Sequence, residues 1–403
     1  MDDAGLSPDT RLQLELGLRT RFGADRHLLV ESPEGAIVDT GPWGFAILSH
    51  FSRPTVLGDV VEQLEGECDH SGELMSAMGV VKLLVDAGAL IAMDEPSSPV
   101  GWADPIEQAR MLHDRRRTGD YLAAIEAAVR PGDVVLDIGT GSGVLAVAAA
   151  RAGARHVYAV EATGIGTVAA EVFAANGVAD RITLVTGWSE RIDLPEPADV
   201  LVAELIGSEP LEENILETTL DARRRLLTPT ARLVPHTLTL RARPLLVPDA
   251  EAGRRAFGAA AVAQWRRWYD IDFTALLDLA DERPVLEPSE GEVVATWTPV
   301  GPPATLATVD LGAFTDPSLH ATADLVVHEP SPVNAVAVTF HADLHHGISH
   351  TLDPWRHPAS SWATAVWFLP SALTVEPDAC VRIGYRRAAY GTPELECRLV
   401  SKQ

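Results

Sequence analysis

The segment of this 403-residue chain best suited to chemistry is Val134-Val-Leu-Asp-Ile-Gly-Thr-Gly-Ser-Gly143. Glycines 139, 141 and 143 let the backbone pass close to a ligand. The helix expected over Val144–Ala152 presents unpaired N–H groups behind them. Glu161 ends the next apolar run, where a carboxylate can accept both hydroxyls of a ribose. Dinucleotide-binding folds share that geometry, but two details favour S-adenosylmethionine (SAM). The spacing is Gly-x-Gly-x-Gly, and Asp137 stands just before the first glycine, where it can hold a cationic amino acid group.

A second segment is acidic. Glu204 and Glu213 lie in Ala203-Glu-Leu-Ile-Gly-Ser-Glu-Pro-Leu-Glu-Glu213, after an apolar run at Val200–Glu204. Carboxylates at a strand end sit over the open edge of a parallel sheet, where ligands bind. Such a pair can hold a guanidinium or ammonium through charge-assisted hydrogen bonds. One of the two can also take up the proton lost when a nitrogen is methylated. A solvated acidic helix start, with Glu209, Glu212 and Glu217 as further members, has the same composition.

The elements that must position these groups alternate. Met111–Ala128 is patterned as a helix. Strands are expected at Val134–Ile138, His156–Glu161, Ile182–Thr186 and Val200–Glu204, with helices at Val144–Ala152 and Thr167–Asn176. That alternation over residues 103–235 calls for a parallel sheet covered by helices, an α/β Rossmann-like domain. Residues 236–403 change to short β-rich runs, Thr237–Ala242, Glu292–Thr298, Asp324–Val327, Ala335–His341, Thr364–Leu369 and Cys380–Ile383, which read as a β-barrel or sandwich. A helical stretch, about 251–280, interrupts them.

Residues 1–95 form a separate α+β block. His27–Val30 and Ala36–Val38 flank Ser32-Pro-Glu-Gly35 as a hairpin. Helical patterns follow at Trp43–Phe51, Val56–Leu64 and Gly72–Ala87, then a short apolar end at Ala89–Met93. The set resembles a winged-helix module. Residues 95–102, rich in Pro and Ser, read as a linker.

Acidic residues number 57 against 32 basic ones, a formal charge of −25. A surface so acidic repels phosphate backbones, so nucleic acid is not an expected partner, whereas a cationic peptide or amine is attracted. The three cysteines, Cys68, Cys380 and Cys397, have neither metal-ligand nor redox spacing. With no secretory pattern at the N-terminus and no long apolar run, a reducing cytoplasm is expected, without membrane spans. His341, His345, His346, His350 and His357 crowd one region, but no metal site is expected from their spacing.

Residues from about 105 to 400 resemble the protein arginine methyltransferases. Met111-Leu-His-Asp-Arg-Arg-Arg-Thr118 looks like that family's Met-Leu-x-Asp-x-x-Arg-Thr helix. The resemblance implies that Arg117 grips the SAM carboxylate and that Asp114 lines the substrate side. Asp137, Gly139, Gly141, Gly143 and Glu161 match the SAM loop and its ribose acid. Gly187-Trp-Ser-Glu190 matches the segment beside the adenine, with Glu190 near the base. Glu204 and Glu213 have the double-glutamate spacing, and Trp265–Phe273 resembles part of the arm that makes those enzymes head-to-tail dimers. Two departures stand out. The family's Thr-His-Trp loop is Ser360-Ser361-Trp362 here, so its histidine is Ser361. Its Tyr-Phe-x-x-Tyr helix, which walls in the arginine side chain, falls on Ser98-Pro-Val-Gly-Trp102.

The first block resembles PqqD-like peptide-recognition domains of ribosomal peptide maturation (RiPP recognition elements). The likeness rests on Asp39-Thr-Gly-Pro-Trp-Gly-Phe-Ala-Ile-Leu48, Thr55-Val-Leu-Gly-Asp-Val-Val61 and Val81-Lys-Leu-Leu-Val-Asp-Ala-Gly-Ala-Leu90. Such a domain binds a leader peptide as an added strand. Together the two resemblances imply a homodimeric peptide N-methyltransferase. Its partner would be a precursor peptide, held by its leader, and its target a terminal or modified amine, as in daptide-type peptides, or an arginine. The alternatives are an arginine methyltransferase acting on folded proteins, and an inactive peptide-binding subunit.

Overall fold

The computed structural model describes residues 10–92 and 104–400, apart from residues 16–17, 24–26, 33–34, 52–54, 68–70, 257, 280–282 and 329. Cys68, Met93, the 95–102 linker, the Ser98–Trp102 departure and Ala280 therefore lie outside the described residues. The chain divides into two compact units, residues 1–97 and 98–403.

In the first unit the expected hairpin is present, Leu28–Glu31 against Ile37–Asp39, but Arg19–Phe22 adds a third strand to it. A second small sheet joins Arg11–Leu14 to Thr55–Val56 and Leu90–Ala92. These extra strands are two to four residues long, too short for alternation to reveal them. Three helices, Gly44–His50, Leu57–Glu67 and Ser71–Asp86, follow the expected order. They bury Ile47, Phe51, Val60, Leu64, Val81 and Leu84 against Leu12 and Val30 as a core of their own.

The second unit opens on two helices where the sequence suggested one. Pro105–His113 stops and Arg115–Ala128 starts at Asp114. The Asp114 carboxylate accepts the N–H of Arg117 at 2.9 Å, and its own N–H donates to the Arg110 carbonyl at 3.2 Å. One residue thus closes one helix and caps the next, which satisfies end groups that a continuous helix would not expose.

Five parallel strands follow, in the spatial order Leu227–Val234, Ala198–Ala203, Val134–Ile138, His156–Glu161, Ile182–Thr186. Val134–Ile138 lies at the centre and is buried throughout, as expected for a strand covered on both faces. The direction of winding reverses between it and Ala198–Ala203, where Ile138 pairs with Ala203. Gly139 and Glu204 therefore leave the carboxyl ends of adjacent strands at the switch point, where such sheets bind ligands.

The remaining strands are antiparallel. A seven-stranded sheet is built on Thr237–Leu246, Ser331–His345 and Thr364–Val375, and a three-stranded sheet joins Leu319–Val327, Ala379–Arg387 and Glu394–Val400. Trp367 of the first sheet meets Tyr385 of the second, ring centroids 6.3 Å apart. One apolar core runs from the parallel sheet into these strands. Two expectations are corrected. Glu292–Thr298 is mostly a helical turn, Gly291–Val294, because the Glu290 carbonyl accepts from both Val293 and Val294. The helical stretch about 251–280 is three pieces, Asp249–Arg255, Ala259–Tyr269 and Thr274–Leu279. Asp270 ends the middle one in a left-handed conformation, φ 53°.

Candidate active site

The glycine loop follows the central strand. Gly139, Gly141 and Gly143 have φ of 76°, 54° and 84°, a region that side chains strongly disfavour. At Gly143 a Cβ would also lie 2.5 Å from the Phe173 ring. Glu161 braces the loop: its carboxylate accepts N–H bonds from Gly141 at 2.8 Å and Thr163 at 2.9 Å. From the other side Gln108, a residue that sequence reading passed over, accepts the Ser142 N–H at 3.1 Å.

Asp137 is fully buried beneath this loop. One carboxylate oxygen accepts the Thr140 hydroxyl at 2.6 Å, and the other has no hydrogen-bond partner among the described residues. Burial pushes its carboxyl up to about 7, with the charge of Glu161 adding and the Thr140 bond opposing. Such an orphaned acid beside an open glycine cradle suits the cationic amino acid end of SAM. Glu190 lies in the short turn Ser189–Arg191, with the Tyr390 hydroxyl 3.5 Å from its carboxylate.

The double-glutamate loop is tied down by residues that sequence reading took as background acidity. Glu209 is buried, accepting the Tyr385 hydroxyl at 2.7 Å and the Leu211 N–H at 3.0 Å. Glu217 forms a fully buried ion pair with Arg387 at 2.7 Å. Neither partner is near in sequence, so no local pattern could single these two glutamates out.

Glu204 and Glu213 both act on Arg117. Its guanidinium is ion-paired with Glu204, a contact nearly closed to solvent, and stacks over Trp362, 5.1 Å from the ring centroid. Burial pushes the half-buried Glu213 up to about 8; the Glu212 charge adds to this, and Arg117 opposes it. The second oxygen of Glu204 has no hydrogen-bond partner among the described residues. Thus one of the two carboxylates assigned to a substrate cation, Glu204, is paired with the arginine assigned to the cofactor, and the other, Glu213, feels the charge of that arginine.

Asp114 stands one helical turn away. Its outer oxygen accepts the Ser361 N–H at 2.9 Å and the Ser360 and Ser361 hydroxyls at 3.3 Å each. Burial alone would raise its carboxyl, but the N–H groups of Arg117 and Ser361 outweigh it and hold Asp114 below the usual range. Serine backbone and hydroxyls therefore meet Asp114 where the resembled family has histidine. Of the five crowded histidines, His350 packs 5.2 Å from Trp362 and bonds Asp120 at 2.8 Å. No metal-binding group occurs among the described residues.

Sheet order, glycine loop and orphaned aspartate define a class I methyltransferase domain whose cofactor is S-adenosylmethionine. The family model of the ribosomal protein L11 methyltransferase (PrmA) matches residues 116–225. The probable protein arginine N-methyltransferase 6 of Arabidopsis thaliana is 37% identical over 196 residues, 47% of this chain and 43% of that protein. The probable histone-arginine methyltransferase CARM1 of Oryza sativa subsp. indica is 31% identical over 281 residues, 68% of this chain and 51% of that protein. The chain thus spans about half or less of these relatives. Among solved structures, the Trypanosoma brucei PRMT1 enzyme–prozyme heterotetrameric complex with AdoHcy superposes with TM-score 0.62 at 22% identity, covering 75% of this chain and 100% of that one. Protein arginine methyltransferase 10 of Arabidopsis thaliana superposes with TM-score 0.59 at 23% identity, covering 74% and 98%. At such identities the likeness is one of fold: a Rossmann-like methyltransferase domain followed by a β-barrel.

Proposed function

We propose that this chain is a SAM-dependent N-methyltransferase acting on arginine side chains of proteins. The observation that carries this reading is the guanidinium already in place: Glu204 holds that of Arg117 at the switch point, beside the glycine loop. A site that binds one guanidinium by charge-assisted bonds has the chemistry to bind another. The relatives named above are protein or histone arginine methyltransferases, which favours this reading over peptide maturation.

Bound over Gly139–Gly143, SAM supplies a methyl group on a positively charged sulfur. Asp137 and Glu161 would hold its amino and ribose ends, Glu190 its base, and Arg117 its carboxylate. Glu204 and Glu213 would orient a substrate guanidinium through its N–H groups. The proton displaced from the methylated nitrogen would pass to Glu213 in its ionised form, the form that predominates above about pH 8. Asp114 positions the substrate side through the Ser360–Ser361 loop.

A second reading keeps the chemistry and changes the nitrogen. Ser361, in place of a histidine, and the separate first unit favour a terminal or modified amine of a ribosomally made peptide. In that reading residues 1–95 capture the leader, raising the effective concentration of the rest. In either reading the exposed Trp268, Tyr269 and Ile271 form a dimer contact, and the protein works in the cytoplasm.

Mass spectrometry of products separates the two. The full chain is incubated with SAM and with peptides bearing either an internal arginine or only a free terminal amine. Methyl mass on the guanidinium supports the arginine reading. Methyl mass on the amine alone, with binding lost when residues 1–94 are deleted, replaces it by the second. No transfer to either peptide overturns both.

A further inference from the structure

A pocket of about 370 Å³ opens beside Asp114, at the junction of the helix start Arg115–Thr118 and the barrel loop 356–360. Its charged lining is Arg115, Arg116 and Arg356 against the single carboxylate of Asp114, with His113 and His357 at its wall. Three arginines lining one cavity are unexpected in a chain with 57 acidic residues against 32 basic ones. Nearby acids are engaged elsewhere. Asp120 bonds His350 at 2.8 Å, and the bonds donated by Ser360, Ser361 and Arg117 fill Asp114. The exception is Asp353, which forms a 3.6 Å ion pair with the Nε of the largely exposed Arg356.

The walls are anchored. Arg116 donates to the Thr351 carbonyl at 3.0 Å, tying the helix to the barrel, and the His357 N–H donates to the Asp353 carbonyl at 2.8 Å. The Arg115 and Arg356 side chains are exposed to solvent. Asp114 belongs both to this pocket and to the helix cap that leads to Arg117, so the pocket flanks the double-glutamate site within one turn of helix.

We infer that this pocket binds a carboxylate of the substrate, an aspartate or glutamate close in sequence to the methylated residue. The inference rests on the reading that the double-glutamate site takes a polypeptide nitrogen. A guanidinium fork matches a carboxylate in two parallel hydrogen bonds. The site would then select a cation with an acidic neighbour, the cation entering between Glu204 and Glu213 and the anion between Arg115 and Arg356. A substrate whose neighbours are all basic would be repelled at this second point.

The test measures binding apart from turnover. Fluorescein-labelled glycine–serine peptides carry one arginine and, two to five residues away, glutamate, glutamine, lysine or phosphoserine. Their affinity for the full chain is read by anisotropy in the presence of S-adenosylhomocysteine. Glutamate peptides are expected to bind about tenfold more tightly than glutamine ones, a difference of ~1.4 kcal/mol. That preference should vanish in the Arg115→Ser/Arg356→Ser double variant, whose thermal unfolding stays unchanged because both side chains are exposed. Equal binding of glutamate and glutamine peptides, a preference that survives the double variant, tighter binding only with phosphoserine, or no binding of any peptide would each overturn the inference. Mass spectrometry on the same peptides separates this result from the reading beneath it. An acidic preference in binding with no methylated arginine keeps the pocket and removes the arginine target, whereas methylation indifferent to the acidic neighbour does the reverse.

Discussion

The carboxylate of Glu204 is ion-paired with the guanidinium of Arg117, 87 residues earlier in the chain. Glu204 follows the strand Ala198–Ala203 and Arg117 lies in the first turn of the helix capped by Asp114, so the pair joins the sheet edge to that helix. Replacing Glu204 by glutamine keeps the shape but removes the charge that holds a cation. Glu204→Gln is expected to lower turnover by about 10²-fold or more, the usual scale for a positioned acid–base group. SAM affinity by calorimetry should not fall by more than about threefold, because Asp137 and the glycine loop are untouched and Arg117 keeps its charge. Turnover equal to that of the parent would remove Glu204 from the mechanism.

Glu213 and Asp137, whose carboxyls burial raises to about 8 and about 7, both bear on the pH dependence. Below about pH 8 Glu213 is protonated and cannot hold a cation. The rate at low substrate is therefore expected to rise from pH 6.5 to 9, and in Glu213→Gln the part of the rise near pH 8 should be absent, leaving that of Asp137 near 7. Stability runs the other way. A carboxyl whose folded value lies above its unfolded one favours the folded state fully below the unfolded value, near 4.5, and that contribution is lost as pH rises through about 8. The melting temperature should thus fall between pH 5 and 9, and fall less in Glu213→Gln. A pH–rate profile that Glu213→Gln leaves unchanged would count against this role.

Gly143→Ala tests the cradle. The residue holds φ 84°, and the new methyl would stand 2.5 Å from the Phe173 ring. A left-handed non-glycine residue costs of order 1–3 kcal/mol, and here the clash adds to it. SAM affinity should drop about tenfold or more while far-ultraviolet circular dichroism stays that of the parent. Unchanged affinity would mean that the loop does not approach the ligand.

The ion pair of Glu217 with Arg387 ties the helix after the double-glutamate loop to the barrel, with both side chains fully buried. Removing one member strands a buried charge, typically at a cost of 3–5 kcal/mol. Arg387→Ala is expected to lose about that much in urea denaturation. Ser361→Ala, in contrast, removes only a 3.3 Å hydroxyl contact and keeps the 2.9 Å N–H bond to Asp114. Its stability should change by less than about 1 kcal/mol. A small loss in Arg387→Ala would show that the pair is hydrated.

Much of the domain was legible in the linear chain because its signals are local. Three glycines at alternate positions after a buried strand require left-handed backbone there, and Asp137 and Glu161 stand at fixed offsets from them. Strand and helix alternation from 134 to 204 survives because each element's period lies within its own residues. The break at Asp114 was less legible, since Met111–Ala128 keeps helical periodicity across it. The cap that Asp114 gives to the Arg117 N–H, and the bonds its other oxygen accepts from Ser360 and Ser361, appear only in the folded chain.

By itself, then, the sequence determined that a SAM-binding parallel sheet would carry an acidic loop on its fourth strand. Which of the loop's glutamates would face the site, and which would vanish into the core, was decided by tertiary structure alone. Glu209 accepts the Tyr385 hydroxyl and Glu217 is ion-paired with Arg387, partners about 170 residues away, while Glu204 pairs with Arg117 and Glu213 feels its charge. Identical side chains close together in sequence acquire different roles because burial is bearable only where a distant partner arrives to satisfy the charge.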